Sequence, residues 1–263
     1  MTQTDRMLAR KDGGIGYVIF NNPERHNAVS MEMWEATRSI LDSYEKDNEV
    51  RVVVLTGAGG KAFVSGADIS KFGSERATPE AVESYNKMTE MAYAGIHDFP
   101  KPTIAMIEGY CIGGGLGLAV SCDIRICSDK SKFAVPAAKL GLGYDYPGLK
   151  RLMDIVGPSF TKEIFFTARQ FDAEEARMMG LVNRVVSSAE LEKYVKDYAG
   201  VIAGNAPLTV GSVKFIVGEA LKDDGKRDFD AMAKSVKRCF ASKDYVEGRT
   251  AFMEKRKPVF TGG

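Results

Sequence analysis

Short apolar runs rich in β-branched residues recur along the first 190 residues, and they constrain the fold more than any other feature. Each run is long enough for a buried strand but too short for a helix. Segments with helical periodicity lie between them. Strands that alternate with helices predict an α/β core with parallel pairing. The predicted strands are residues 15–20, 51–56, 102–107, 123–127 and 181–186.

Two helix starts are marked clearly in this part of the chain. Ser30 is a favourable N-cap residue, and an amphipathic helix is predicted after it. Asp172 and Glu175 have the spacing of a capping box. After residue 190 only helical patterns occur, at residues 189–204, 207–221, 227–241 and 243–256. The sequence therefore predicts a core of residues 1–190 followed by an all-helical region, residues 191–263.

The composition excludes several classes of function. Hydrophobic residues make up 44% and charged residues 27% of the chain, and the net charge of +1 gives no reason to expect nucleic acid or an anionic membrane as a partner. Four cysteines without CxxC spacing and two histidines favour neither a metal site nor a disulfide framework. We find no secretory signal and no run near the ~18 apolar residues of a membrane span. A cytoplasmic protein is expected.

The segment with most chemical information contains three consecutive glycines, Gly113 to Gly115, between a strand and a predicted helix. Glycines leave backbone N–H groups uncovered at the positive end of the helix, where an anion or a developing oxyanion would be stabilised. The alternative interpretation is tight packing of a strand–helix turn.

This glycine segment and four further stretches resemble the crotonase superfamily, which contains the enoyl-CoA hydratases and isomerases. The stretches occur in the family's order and extend over nearly the whole chain. They are NNPERHNAVSMEMW (21–34), GGKAFVSGADISKF (59–72), IAMIEGYCIGGGLGLAVSCD (104–123), DAEEARMMGLVNRVV (172–186) and AFMEKRKPVF (251–260).

The resemblance implies a core of repeated ββα turns in a spiral, and a helical tail that assembles a homotrimer or a dimer of trimers. It implies an acyl-CoA substrate, with coenzyme A as part of the thioester and no separate cofactor. The backbone N–H groups of Ala67 and Gly114 would form the oxyanion hole. The implied CoA contacts are Arg25, Ala28, Ala67, Asp68, Ile69, Phe252 and Lys255.

The sequence departs from the family's hydratases at two positions. By alignment, the glutamates of those hydratases fall on Gly117 and Ala137, and neither residue can transfer a proton. Since a general acid or base typically contributes about 10²–10⁴-fold, their loss argues against an ordinary hydratase.

Asp145 and Tyr144 are the remaining candidates near this part of the chain. Asp145 aligns with a catalytic aspartate of dienoyl-CoA isomerases and of 4-chlorobenzoyl-CoA dehalogenases, and Tyr144 resembles a tyrosine of methylmalonyl-CoA decarboxylases. The second active-site residue of the isomerases and dehalogenases aligns with Ala137, so neither of those two matches is complete. A turn residue is the structural alternative for Asp145, and pocket lining is the one for Tyr144.

Two classes of function follow from these residues. The first is an acyl-CoA enzyme in which Asp145 transfers a proton or acts as nucleophile, with isomerase, hydrolase, decarboxylase and residual hydratase activities open. The second is a non-catalytic acyl-CoA-binding protein that lacks the glutamates. RNA binding has little support in a chain this close to neutral.

Overall fold

A computed structural model describes residues 4–68 and 77–263 as two β-sheets surrounded by helices. In chain order the strands are β1 (Met7–Asp12), β2 (Ile15–Phe20), β3 (Val52–Gly57), β4 (Ala62–Val64), β5 (Thr103–Ile107), β6 (Tyr110–Ile112), β7 (Ile124–Ser128), β8 (Lys132–Ala134), β9 (Phe171–Asp172) and β10 (Arg184–Val186). The helices are α1 (Met31–Lys46), α2 (Pro79–His97), α3 (Gly114–Ser121), α4 (Ala137–Leu140), α5 (Tyr146–Thr167), α6 (Ala173–Met178), α7 (Leu191–Ala203), α8 (Pro207–Ala220), α9 (Phe229–Phe240) and α10 (Lys243–Met253).

The larger sheet has six strands in the order β1-β2-β3-β5-β7-β10. Its strands pair in parallel from β2 to β10, and only β1 runs antiparallel to its neighbour. The five strands predicted from the sequence all belong to this sheet, with small shifts at their ends. The prediction of a parallel α/β core is therefore confirmed.

The smaller sheet, in the order β4-β6-β8-β9, was missed by the sequence analysis. From β3 onward, a strand of the larger sheet is followed by a strand of the smaller sheet. A helix then leads the chain back to the larger sheet. The units β3-β4-α2, β5-β6-α3 and β7-β8-α4 follow this rule. This succession is the ββα spiral that the resemblance implies.

Both faces of the larger sheet are buried, which explains why its strands are apolar at successive positions. On β3, Val53 and Leu55 face a core that contains α1, α2, α3 and the smaller sheet. Val52 and Val54 face the opposite side, where Leu191 and other residues of α7 cover the sheet.

The predicted helical region begins with α7 against the sheet and continues as α8, α9 and α10. Lys214 of α8 donates to Asp123 Oδ2 at 2.8 Å, which attaches this region to the edge of β7. Among the described residues no single helix is long and apolar enough to cross a membrane. Taken together, α7 and α8 reach the length and apolar composition of a span, but the two helices are bent by 102° relative to each other.

The two predicted helix starts differ in detail. Asp172 and Glu175 form the predicted capping box at α6, with reciprocal hydrogen bonds of 2.9 and 3.0 Å between side chain and backbone. Ser30 occupies the N-cap position of α1, but its side chain makes no capping hydrogen bond.

Candidate active site

The predicted CoA contacts Arg25 and Ala28 lie in a first loop, residues 21–30, and Ala67 and Asp68 lie in a second loop that follows β4. The first loop is held by buried asparagine side chains. Asn27 Oδ1 accepts from the Asn22 N–H at 2.8 Å, and Asn27 Nδ2 donates to the Ala62 carbonyl at 2.8 Å. Both asparagines are almost fully buried, so the Asn27 amide supplies hydrogen bonds that water cannot make to these backbone groups. The loop therefore holds Arg25 exposed and Ala28 buried in one conformation.

Backbone pairing joins the first loop to the second. The Val29 N–H donates to the Gly66 carbonyl at 2.8 Å, and the Asp68 N–H donates to the Val29 carbonyl at 3.1 Å. Arg25 also forms an ion pair with Asp68 at 3.1 Å, and the Asp68 side chain is only 5% exposed. Three of the predicted CoA contacts, Arg25, Ala28 and Asp68, therefore lie in two paired loops. Ile69 lies outside the described residues.

Gly114 and Ala67 meet where the second loop approaches the first turn of α3. A Cβ built on Gly114 would lie 3.9 Å from the Ala67 nitrogen and 3.7 Å from Gly66 Cα. Gly114 is the first residue of α3, so its N–H points out of the helix without an intrahelical acceptor. Within the described part of the chain, no backbone or side-chain acceptor is found for either N–H. Two backbone donors therefore adjoin here.

Tyr93 of α2 is a residue of this region that the sequence analysis missed. Its hydroxyl donates to the Gly114 carbonyl at 2.8 Å. Its ring packs against Trp34, with centroids 5.3 Å apart, and the Arg151 guanidinium lies 5.8 Å from the ring centroid. Burial, followed by the neighbouring Tyr144, raises the pKa of Tyr93 well above 10.0. The phenol is therefore neutral and remains a hydrogen-bond donor.

Gly117 and Ala137, the positions that the resemblance assigns to glutamates, carry no ionisable group in this region. Gly117 lies on α3 with Tyr93 against it, because a Cβ at Gly117 would lie 2.9 Å from Tyr93 Cζ. Ala137 is buried at the start of α4. The carboxylate of α2 that lies near Tyr93, Glu90, forms a two-point hydrogen bond with Arg151.

Tyr144 and Asp145 lie in the segment that leads into α5. Asp145 is exposed and occupies the N-cap position of α5, but its side chain makes no capping hydrogen bond. The Tyr144 ring packs edge-on against Phe165, with centroids 4.8 Å apart, and is 40% exposed. α5, which begins directly after this segment, packs against α3, the helix that begins at Gly114.

Phe252 and Lys255 lie at the end of α10 and directly after it. Phe252 is 82% exposed, and Lys255 follows the helix in a left-handed conformation with φ 55°. Among the described residues no hydrogen bond or ion pair links either of them to Arg25 or Ala28. One chain alone does not join them to the first loop by such contacts.

Comparisons with known proteins agree with this architecture. Residues 10–263 match the family model described as enoyl-CoA hydratase/isomerase. This chain belongs to the enoyl-CoA hydratase/isomerase family. A short-chain-enoyl-CoA hydratase of Clostridium acetobutylicum is 34% identical over 97% of both chains, and a carnitinyl-CoA dehydratase of Escherichia coli O157:H7 is 33% identical over 96% of this chain and 97% of its own. A crystal structure of an enoyl-CoA hydratase/carnithine racemase from Magnetospirillum magneticum superposes with a TM-score of 0.94, at 37% identity, over 99% of this chain and 97% of that one.

Membership of the enoyl-CoA hydratase/isomerase family identifies the chain as an acyl-CoA enzyme. The matched segment contains every position that the sequence analysis assigned to the site. In residues 4–68 and 77–263, no group of three or more histidine, cysteine, aspartate or glutamate side chains is arranged to hold a metal ion.

Proposed function

We propose that this protein binds an acyl-CoA thioester with its carbonyl oxygen between the N–H groups of Ala67 and Gly114. The two donors would stabilise the enolate or oxyanion that forms from the thioester. The observation that carries the proposal is the approach of these two residues, with 3.9 Å between the Gly114 Cβ position and the Ala67 nitrogen. In other enzymes, the loss of one such donor reduces kcat by about 10²–10³-fold.

The proposal does not extend to hydration by a pair of glutamates. Several similar proteins are named hydratases, but Gly117 and Ala137 replace the residues that the resemblance assigns to that chemistry. A reaction that needs an oxyanion hole without that carboxylate pair fits these residues better. Isomerisation, hydrolysis and decarboxylation of a thioester are such reactions.

Asp145 is our proposed group for proton transfer or nucleophilic attack. It is exposed at the N-cap position of α5, a helix that packs against α3. This position supports the proposal that the Asp145 carboxylate borders the thioester site. No separate cofactor is proposed, since coenzyme A is part of the substrate.

The reaction is tested by incubating the protein with a panel of thioesters and following the products by mass spectrometry. The panel contains crotonyl, 3-enoyl, 2,4-dienoyl, 3,5-dienoyl, methylmalonyl and aryl thioesters, with Asp145→Ala measured in parallel. We expect one class to be converted and the variant to lose turnover while it still binds CoA. Hydration of crotonyl-CoA at an ordinary enzymatic rate would contradict the argument from Gly117 and Ala137.

The oxyanion hole is tested by Gly114→Pro, with Gly114→Ala as its matched control. Proline is tolerated at the first position of a helix, where it replaces the N–H with a ring that also brings a Cβ. Alanine keeps the N–H and adds the same Cβ, which would lie 3.1 Å from the Tyr93 hydroxyl. We expect the proline variant to lose about 10²–10³-fold in kcat and the alanine variant to lose much less. Equal losses in both variants would exclude the N–H as the cause.

A second candidate function is a non-catalytic acyl-CoA-binding protein. It is favoured by the same two residues, Gly117 and Ala137, which leave the proposed thioester site without a carboxylate at either position. Thioester binding without conversion of any member of the panel would support this function over the first.

A further inference from the structure

One side chain from α2 contacts both glycines of α3 that matter most for the proposed chemistry. Tyr93 reaches Gly114 with its hydroxyl and Gly117 with its ring. The two contacts have different consequences, because the first fixes a backbone group and the second fills a volume.

The hydroxyl contact fixes the orientation of the first turn of α3. This turn begins with glycines, which lose more conformational freedom on folding than other residues. The Tyr93 hydroxyl donates to the Gly114 carbonyl at 2.8 Å, and the Gly113 carbonyl accepts from Leu116 and Gly117. Gly114 is therefore held through the peptide groups on both of its sides. The Gly114 N–H lies in the peptide whose carbonyl, that of Gly113, is bound in this way, and Tyr93 fixes the next peptide of the same turn.

The ring contact fills the space next to Gly117. A Cβ at position 117 would lie 2.9 Å from Tyr93 Cζ, 3.0 Å from its hydroxyl oxygen and 3.1 Å from Cε2. Contacts this short require the ring to move. A longer side chain at 117, such as glutamate, would need still more of the volume that the ring occupies.

Two further side chains pack against the ring. Trp34 packs edge-on at 5.3 Å and is itself 2% exposed. Arg151 lies over the ring at 5.8 Å and is fixed by two hydrogen bonds to Glu90. Tyr93 is thus part of a packed cluster, and its ring occupies the volume beside Gly117.

We propose that Tyr93 is the positioning residue of this site, which aligns the Gly114 N–H through its hydroxyl and occupies with its ring the volume that a glutamate at position 117 would need. The consequence is selectivity for the reaction: the donors that stabilise an enolate are kept in place, and the space for a water-activating carboxylate is closed. This inference rests on the proposed function.

The hydroxyl is tested with two probes that do not depend on the identity of the natural substrate. Acetoacetyl-CoA forms an enolate with its own ultraviolet absorption, whereas butyryl-CoA is a saturated thioester that does not. In Tyr93→Phe we expect enolate binding to weaken about three- to ten-fold, as for loss of one hydrogen bond, while butyryl-CoA binding is unchanged. The measured quantity is the ratio of the two affinities.

Tyr44→Phe is the matched control for this variant. Tyr44 is also a buried tyrosine whose hydroxyl donates to backbone carbonyls, those of Arg10 and Tyr17, both at 3.0 Å, but it lies on α1 away from Gly114. We expect it to lower stability without changing the affinity ratio. If both variants leave the ratio unchanged, Tyr93 is only structural and the inference is wrong. If wild-type protein itself shows no enolate band, the proposed function fails before any variant is compared.

The ring is tested by coupling positions 93 and 117. Gly117→Ala should reduce enolate binding in wild type and in Tyr93→Phe, since both keep Cζ at 2.9 Å from the new Cβ. In Tyr93→Leu, which lacks Cε2, Cζ and the hydroxyl, Gly117→Ala should have little further effect. An equal effect of Gly117→Ala in all three backgrounds, measured by enolate binding and by urea unfolding, would overturn the steric part of the inference.

Discussion

At the scale of single residues, the three consecutive glycines serve different purposes. Gly113 has a φ of 54°, which favours glycine over other residues. A Cβ on Gly115 would lie 2.0 Å from the Val64 carbonyl oxygen, so α3 approaches the backbone of β4 directly. Gly114 adjoins Ala67 in the proposed oxyanion hole. Tight packing and exposed N–H groups, the two interpretations of this segment from the sequence, therefore apply to different residues.

Gly115→Ala is expected to destabilise the protein strongly. The new Cβ would contact a backbone oxygen that cannot move without shifting β4, and overpacking of this kind costs about 1–3 kcal/mol or more. Urea unfolding measures the loss. Gly200→Ala in α7 is the control, since no atom lies within 4 Å of its Cβ position. Because alanine is a better helix former than glycine, that variant should gain up to about 1 kcal/mol. Similar unfolding midpoints for the two variants would contradict the packing argument.

The sequence predicted the two backbone donors that we propose for the site but gave no indication of Tyr93. Ala67 and Gly114 follow from the order of short stretches that resemble a family. Tyr93 is one aromatic residue in a helical pattern, and its function depends on how α2 crosses α3. Gly117 was a partial indication that another element packs closely against α3. Glycine inside an apolar helix is unfavourable by about 1 kcal/mol relative to alanine, and it often marks such a close contact. The sequence does not say which side chain makes that contact.

At the scale of elements, long apolar strands were predictable and short ones were not. The five predicted strands lie in a sheet that is covered on both faces, so their apolar runs are continuous. Strands β4, β6 and β8 have only three residues each, too few for a pattern to be visible. β1 was missed for another reason: it is an edge strand whose four central residues are all exposed, so it has no buried apolar run.

The C-terminal segment after α10 is attached by two carboxylates. Glu247 accepts from Arg256 Nη1 at 2.6 Å and from the Val259 N–H at 2.8 Å. Asp244 accepts from the Thr261 N–H at 2.8 Å. These bonds return the end of the chain onto α10, the helix that carries the predicted CoA contact Phe252.

Glu247→Gln is expected to loosen this segment. The hydrogen bonds from Arg256 and then from the Val259 N–H lower the pKa of Glu247 from 4.5 to about 2. A carboxyl with a lowered pKa stabilises the folded state above its unfolded pKa, and the effect is lost as the pH falls through the folded value. Protection of the Val259 amide should therefore persist at pH 4 in wild type and fall in the variant, as measured by hydrogen exchange.

Glu254→Gln is the matched control for that experiment. Glu254 also binds Arg256, at 2.6 Å, but no hydrogen bond among the described residues links its side chain to the segment after Arg256. Val259 should exchange at the wild-type rate in this variant. Equal deprotection by both substitutions would show that Arg256, rather than the direct Glu247 bond, holds the segment.

At the scale of the whole molecule, the helical region exposes many large apolar side chains. On α8 alone, Val213 and Val217 are 58% and 55% exposed and lie one turn apart. Exposed apolar patches often mark interaction sites, so we expect this face of α8 to contact another chain. Trimer formation through this region remains a prediction. In such a trimer, the exposed Phe252 and Lys255 would contact the acyl-CoA site of a neighbouring subunit.

We expect the protein in solution to have three or six times the mass of one chain. Val213→Glu combined with Val217→Glu should dissociate it, because burying two carboxylates at a subunit interface is unfavourable. Arg38→Glu on the exposed face of α1 is the control and should remain assembled. Light scattering gives the mass and circular dichroism checks folding.

If Phe252 and Lys255 complete the site of a neighbouring subunit, the dissociated variant will also bind CoA more weakly. A folded monomer with wild-type affinity would show that each chain binds CoA without its neighbours.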